Sequence, residues 1–144
     1  MTIHAPLAAD TVQLLGEDEL RRMKPTAYLI NAARGAIVDE SALVRALTEK
    51  SIAGAGLDVF AIEPVPRRHP LLALSNVILS PHTAGYSIDS FERMRRTACD
   101  SLERLLNHEW PPYTANRDVQ PRTGPLSRKP LRSREAPYAD QTNR

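Results

Sequence analysis

Four side chains in this sequence have the chemistry of a small catalytic site, and no two of them are neighbours in the chain: Arg34, Asp58, Glu63 and His82. Arg34 follows an apolar run and two alanines in "LINAARGAIVDESAL". Two readings are open for it. It is a solvated turn arginine paired with Asp39 or Glu40, or its guanidinium fork grips a ligand carboxylate through two parallel hydrogen bonds. Glu63 and His82 lie in proline-flanked loops. Taken singly, each reads as a surface residue. As a pair they read as an acid/base couple, because a carboxylate beside an imidazole stabilises the imidazolium and fixes its tautomer. Such a histidine gives a proton to a carbonyl oxygen or takes one from a hydroxyl. Asp58 ends the apolar stretch "AGAGLDV". A charge there needs a partner, either as the cap of a loop or as the acceptor for a ligand amide.

The elements that must position these groups follow from residue periodicity. "TIH" reads as the end of a strand and "PLAAD" as a loop. "GEDELRRMK" predicts a short helix with Gly16 as N-cap and acids in the first turn, stopped by Pro25. "AYLIN" is a short buried strand. "DESALVRALTEK" is a helix whose apolar stripe is Ala42, Leu43, Ala46 and Leu47. "AGAGLDVF" is a strand of small residues, residues 61–70 are a proline-broken loop, and "NVILS" is a further strand ended by Pro81. From Ser87 to about Glu109, apolar residues recur at helical spacing: Ile88, Phe91, Met94, Ala98, Leu102, Leu105 and Leu106. This alternation predicts an α/β fold: half of a doubly wound, Rossmann-type parallel sheet, a long C-terminal helix and a disordered tail. In such sheets ligands sit beyond the carboxyl ends of the strands. That points to His4, to residues 31–35, to residues 58–63 and to residues 81–85. The expected divisions are 1–86 for the sheet unit, 87–118 for the long helix and return segment, and 119–144 for the tail.

The chain has 144 residues, enough for one domain with a core, and a net charge of +2. The charge is unevenly placed. Up to Asn116 there are 12 basic and 14 acidic residues, and from Arg117 onward 7 basic and 3 acidic. The basic excess therefore belongs to the tail, which also carries many prolines. Composition predicts disorder there and gives no basic face to the folded part, so no nucleic-acid partner is expected. No apolar run approaches the length of a membrane span, so no membrane partner is expected either. The single cysteine, Cys99, permits no intrachain disulfide, which fits the cytoplasm. Placed mid-helix, it reads as core packing.

Two other chemistries are weighed and set aside. "GAGLDV" opens like the dinucleotide fingerprint G-x-G-x-x-G, but Val59 stands at the third glycine position and "FAIEPVP" opens no helix. Gly54 and Gly56 are read as close-packing residues. His4, His69, His82 and Cys99 have no metal-ligand spacing, so no metal is expected.

Four blocks, "HAPL", "LINAARGAIVDESAL", "GAGLDVFAIEP" and "NVILSPHTAGYS", resemble in order and separation the NAD-binding domain of the D-isomer-specific 2-hydroxyacid dehydrogenases. That family includes phosphoglycerate, glycerate/hydroxypyruvate and D-lactate dehydrogenases, and the likeness covers about residues 1–118. It implies NAD or NADP as cofactor and a small 2-oxo or 2-hydroxy acid as substrate. It implies that Arg34 binds the substrate carboxylate, that His82 is the acid/base and that Glu63 is its partner. It places Asp58 at the nicotinamide carboxamide. Ala32, Ala33, Arg34 and the segment containing His82, Ala84 and Gly85 would line the nicotinamide end of the cofactor, with His4 and Pro6 near its ribose and phosphates. The formate dehydrogenases of this superfamily carry glutamine at the place of Glu63, which disfavours that branch. Full-length relatives are expected to be homodimers.

The resemblance also carries an expectation of incompleteness. The glycine-rich turn, the residue that chooses NAD or NADP and most of a substrate domain are absent from the 144 residues. The chain alone is therefore expected to be a fragment, inactive by itself, with an apolar edge at "TIH". The alternative is a non-enzymatic, nucleotide-sensing interaction module like the corepressors that share this fold.

Overall fold

The computed structural model describes residues 1–115, and the tail expected at 119–144 lies outside the described residues. Two compact units divide between Gly85 and Tyr86. The first, Met1–Gly85, is built on four strands: β1 (Thr2–Ile3), β2 (Tyr28–Asn31), β3 (Gly54–Leu57) and β4 (Val77–Leu79). They pair in the order β1-β2-β3-β4, and every pairing is parallel. Parallel neighbours need crossovers. Helix α1 (Glu17–Arg21) carries the first and helix α2 (Glu40–Thr48) the second. The third has no α-helix. It uses the loop after β3 and a short 3-10 turn at Pro70–Ala73.

Each helix begins where its side chains satisfy free backbone donors. Glu19 reaches back to the Gly16 N–H at 3.1 Å, while Glu17, Asp18 and Glu19 place acids at the positive end of α1. Asp39 caps α2 by accepting the Ala42 N–H at 3.1 Å. The expected stripe Ala42, Leu43, Ala46 and Leu47 is buried along α2. With Leu20 of α1 it covers one face of the sheet, against Ile3, Leu29, Ala55 and Leu57. The period-two alternation of β2 shows the same choice of face: Leu29 and Asn31 are buried, Tyr28 and Ile30 exposed. The exposed apolar side chains of the sheet are therefore on its second face, at Tyr28, Ile30 and Ile78, rather than only at a β1 edge.

A feature without a local sequence signal fixes the entry to α2. Segment 13–15 pairs with the chain around a 3-10 turn at Gly35–Ile37: the Gln13 N–H donates to Ala36 O at 2.8 Å, Leu15 N–H to Ile37 O at 3.1 Å and Asp39 N–H to Leu15 O at 2.9 Å. The turn that carries Arg34 is thus clamped from outside as well as by its own residues.

In the second unit, helix α3 (Ile88–Leu106) forms close to the expected span, capped by the reciprocal Ser87–Ser90 pair. Phe91 meets Tyr86 edge-on with ring centroids 5.1 Å apart. No residue of α3 is buried, and Cys99 is exposed. The expectation that Cys99 packs in a core is corrected here: a mid-helix position says nothing of which face is covered. Among the described residues, no helix is long and apolar enough to cross a membrane.

Candidate active site

The carboxyl ends of the strands hold the residues singled out from the sequence. At the end of β2, Asn31 is buried and builds the following turn: its Nδ2 donates to Arg34 O at 2.9 Å and its Oδ1 accepts the Ala33 N–H at 3.0 Å. Sequence reading placed Asn31 in the region of interest without giving it this task. Its signal was an asparagine two residues before a bend, the side chain that replaces backbone partners in a turn. Arg34 itself is exposed, and its Nη1 donates to Ala33 O at 2.7 Å. Neither proposed acidic neighbour takes it. Asp39 is occupied with the α2 cap and Glu40 with Ala61 and His69. Among the described residues, the guanidinium has no carboxylate partner.

Gly35 joins this turn to the loop after β3. A Cβ on it would lie 2.0 Å from the Phe60 carbonyl carbon and 2.1 Å from its oxygen. Both are backbone atoms that cannot swing away. Gly35→Ala is expected to cost about 3 kcal/mol in a urea-unfolding measurement, through overpacking at a fixed backbone contact. Amide shifts at Phe60 and Ala61 would follow the Arg34 turn as it moves. A variant as stable as the parent would show that the two segments are free to separate.

Asp58 stands just beyond β3 and is 5% exposed. Its carbonyl oxygen accepts the His82 N–H at 2.8 Å. Its Oδ1 accepts the Thr83 N–H at 2.8 Å and the Ser80 hydroxyl at 2.5 Å, and its Oδ2 accepts the Ala84 N–H at 2.9 Å. One residue thus gathers three consecutive backbone donors. His82 adopts φ 56° in the middle of this arrangement, the left-handed region that histidine enters more readily than most residues. Burial pulls the Asp58 carboxyl upward; the hydrogen bonds from Ser80, Ala84 and Thr83 and the nearby His82 outweigh it and hold it below the ordinary carboxylate range. Of the two roles open to Asp58, loop capping is the one its contacts fill. Ser80 is a further member that sequence reading missed, for a serine at a strand end carries no pattern of its own.

Glu63 and His82, 19 residues apart, come together: Nδ1 of His82 lies 2.8 Å from Oε2 of Glu63. The second carboxylate oxygen of Glu63 accepts the Phe60 N–H at 3.0 Å. The His82 contact, then the Phe60 N–H, hold the Glu63 carboxyl below its ordinary range. With Nδ1 donating to a carboxylate, Nε2 is the ring nitrogen left for proton exchange.

Two concavities lie beside these groups. One, of about 520 Å³, is lined by His4, Ala5, Pro6, Leu7, Ala32, Ala33 and Arg34. The other, of about 580 Å³, is lined by Phe60, Glu63, Val65, Leu79, Pro81 and His82 among others. Arg34 is therefore grouped with the β1 and β2 loops, while Glu63 and His82 line a groove of their own. Gly35 against Phe60 is the contact that ties the two. Ala84 belongs to the Asp58 anchor, and a Cβ added to Gly85 would meet no heavy atom within 4 Å. Among the described residues, no three His, Cys, Asp or Glu side chains group as metal ligands.

Known proteins share this arrangement of sequence and fold. Residues 1–84 match the model of the D-isomer specific 2-hydroxyacid dehydrogenase NAD binding domain. A glyoxylate reductase of Thermofilum pendens is 50% identical over 119 residues, covering 83% of this chain and 35% of that protein. A Thermus thermophilus protein of known structure matches with TM-score 0.75 and 42% identity over 79% of this chain and 36% of that one. A Lactobacillus jensenii D-lactate dehydrogenase solved with NAD+ matches with TM-score 0.72 and 34% identity, over 81% of this chain and 39% of that one. The chain spans little more than a third of the length of these relatives. With a four-stranded parallel sheet of Rossmann type and a family match over most of its first unit, the chain belongs to the D-isomer specific 2-hydroxyacid dehydrogenases, as part of their NAD-binding domain.

Proposed function

We propose that this chain supplies the carboxylate-binding and proton-transferring side of an NAD(P)-dependent enzyme that interconverts a 2-hydroxy acid and its 2-oxo acid. The observation that carries the reading is the 2.8 Å contact between His82 Nδ1 and Glu63 Oε2. It leaves Nε2 to exchange a proton with the substrate oxygen, and the carboxylate steadies the imidazolium. Arg34 has no carboxylate partner among the described residues, and its one side-chain hydrogen bond, from Nη1 to Ala33 O, leaves the Nε–Nη2 edge of the planar fork for a substrate carboxylate.

The residues of this chain fit one end of a nicotinamide dinucleotide. The groove of His4, Pro6, Ala32, Ala33 and Arg34 sits beyond the carboxyl ends of β1 and β2, and its alanines leave room for a flat ring. Gly85 adds no side chain to the same side of the sheet. Asp58 Oδ2 accepts one hydrogen bond and has a second lone pair for a carboxamide N–H. When bound, the nicotinamide supplies or takes the hydride. In the direction of reduction, Arg34 holds the 2-oxo acid by its carboxylate. His82 delivers the proton from Nε2 to the carbonyl oxygen, and Glu63 holds the charge on the ring. In the direction of oxidation, Nε2 takes the hydroxyl proton.

The test is a chimera in which the part of the Thermofilum pendens glyoxylate reductase that this chain does not match is joined to it. Reduction of glyoxylate or hydroxypyruvate with NADH or NADPH is the expected result. A chimera that binds NADH and never oxidises it would favour the interaction-module reading instead. Within the active chimera, Arg34→Lys should raise KM for the 2-oxo acid by roughly tenfold or more, because an ammonium offers a point charge and no fork. An unchanged KM would remove Arg34 from the carboxylate site.

A further inference from the structure

The loop that carries Glu63 has little of its own to hold it in place. Pro64 and Pro66 lack N–H groups. Among the described residues, the one backbone hydrogen bond within residues 61–69 is from the His69 N–H to Pro66 O, at 2.9 Å. Both ends of the loop are instead held by a single side chain from α2. Oε2 of Glu40 accepts the Ala61 N–H at 3.1 Å, and Oε1 lies 3.0 Å from Nε2 of His69. His69 Nδ1 accepts the Leu71 N–H at 3.3 Å, so the ring carries its proton on Nε2 and points it at Glu40. These are half-hidden groups, with side chains 16% exposed for His69 and 21% for Glu40. Each of their four side-chain polar atoms has a partner.

We propose that Glu40 is a positioning residue for the acid/base pair: its two carboxylate oxygens fasten Ala61 and His69, and the loop between them sets the Glu63 carboxylate against His82. The link is short. Ala61 follows Phe60, whose N–H holds Oε1 of Glu63, and Gly35 seats the Phe60–Ala61 peptide on the segment that leads into α2. The tie spans 21 residues to Ala61 and 29 to His69. The proposal rests on Glu63 and His82 being the acid/base pair, yet its test reads their contact and not turnover.

The experiment is a carbon-13 titration of the Glu63 side-chain carboxyl in this chain. Two other carboxylates bear on the reading, and both are monitored: Asp58, which also faces His82, and Glu40 itself. In the parent, Glu63 titrates below the ordinary range because His82 and the Phe60 N–H stabilise its charge. In Glu40→Ala the loop loses both fastenings, and the Glu63 midpoint should rise by about 0.5 pH unit or more. The low-field signal of the proton between His82 and Glu63 should weaken with it. Asp39→Ala is the control: it removes the α2 cap and costs stability at the same helix end, but leaves both arms of Glu40 in place. It should leave the Glu63 midpoint where it was. Glu40→Gln keeps the helix start and one accepting oxygen, and should give a smaller rise. It carries the test if Glu40→Ala does not fold. A Glu63 midpoint unmoved in the Glu40 variants, or moved equally by Asp39→Ala, overturns the proposal. Loss of hydride transfer in the chimera with a normal Glu63 midpoint would count against the proposed function and leave the role of Glu40 intact.

Discussion

His82→Ala in the completed chimera is expected to lower kcat for glyoxylate reduction by roughly a hundred- to ten-thousand-fold, the range that a positioned general acid contributes. KM should change far less, because on the proposed reading Arg34, and not the imidazole, holds the substrate carboxylate. NADH binding, followed by fluorescence, should weaken far less than turnover, because the other residues proposed to line the cofactor groove are unchanged. Glu63→Gln should give a smaller loss. Glutamine still offers an oxygen to Nδ1 at the 2.8 Å contact, but it no longer offers a charge to the imidazolium. The pH dependence has a defined sign. Glu63 is depressed, so its support for His82 is complete at neutral pH and disappears only as pH falls through the lowered value, below the ordinary carboxylate range. Any loss of rate near neutrality would therefore belong to another group. A His82→Ala chimera with kcat within about threefold of the parent would remove His82 from proton transfer.

Some of this architecture was written plainly in the chain. The stripe Ala42, Leu43, Ala46 and Leu47 is a local pattern, and α2 buries all four. Asp39 was read as the first residue of that helix, and it stands one position earlier, as its cap. Arg34, Asp58, Glu63 and His82 were visible because each is a reactive or charged type at the end of an apolar run. The pairing of Glu63 with His82 came with the family resemblance; nothing in the residues themselves shows that 63 and 82 touch. The anchors were still less visible. Ser80 acts on Asp58 across 22 residues, and Glu40 on His69 across 29. Glu40 was read as a neighbour for Arg34 because it is near in sequence, and it turns instead to a loop that is near in space. Gly35 carries no signal of its own in the sequence. Its meaning is the Phe60 carbonyl 2.0 Å from where a Cβ would be. Cys99 failed in the opposite way: the α3 periodicity was right, but periodicity marks an apolar face and does not say that anything covers it.

These anchors change what the site is. The Glu63–His82 pair does not rest on two loops that happen to touch. The His82 turn is tied down by Asp58 at the end of β3, and the Glu63 loop by Glu40 at the start of α2. β3 and α2 also frame the core, since Leu57, Leu43 and Leu47 are all buried in it. The geometry of the pair is thereby set from rigid elements through buried or half-buried carboxylates, which is how the proposed proton-transfer site could be held on loops to the tolerance that catalysis requires.

Asp58→Ala should be the most damaging of the changes outside the pair itself. It strips partners from the Ser80 hydroxyl and from the Thr83 and Ala84 N–H groups at once. Ala84 is exposed and can find water, so the main cost falls on Thr83, Ser80 and the turn that holds His82 at φ 56°. About 3 kcal/mol is expected in urea unfolding at neutral pH. The Glu63–His82 contact should be lost in the same variant, because the turn is free to leave the left-handed region. Asp58→Asn separates charge from shape. It keeps one accepting oxygen for Ser80 and Thr83 and turns an NH2 toward the Ala84 N–H, donor against donor. Its cost should be smaller at neutral pH and should shrink further in acid. The reason is linkage: Asp58 is held below its ordinary range, so the parent gains stability from this group at neutral pH and loses it as pH falls through the native value, whereas asparagine has no proton to take up. Urea midpoints at neutral and acid pH, compared between parent and Asp58→Asn, read this directly. Equal acid losses in the two proteins would show that the stabilising charge lies elsewhere and that Asp58 holds the His82 turn by shape alone.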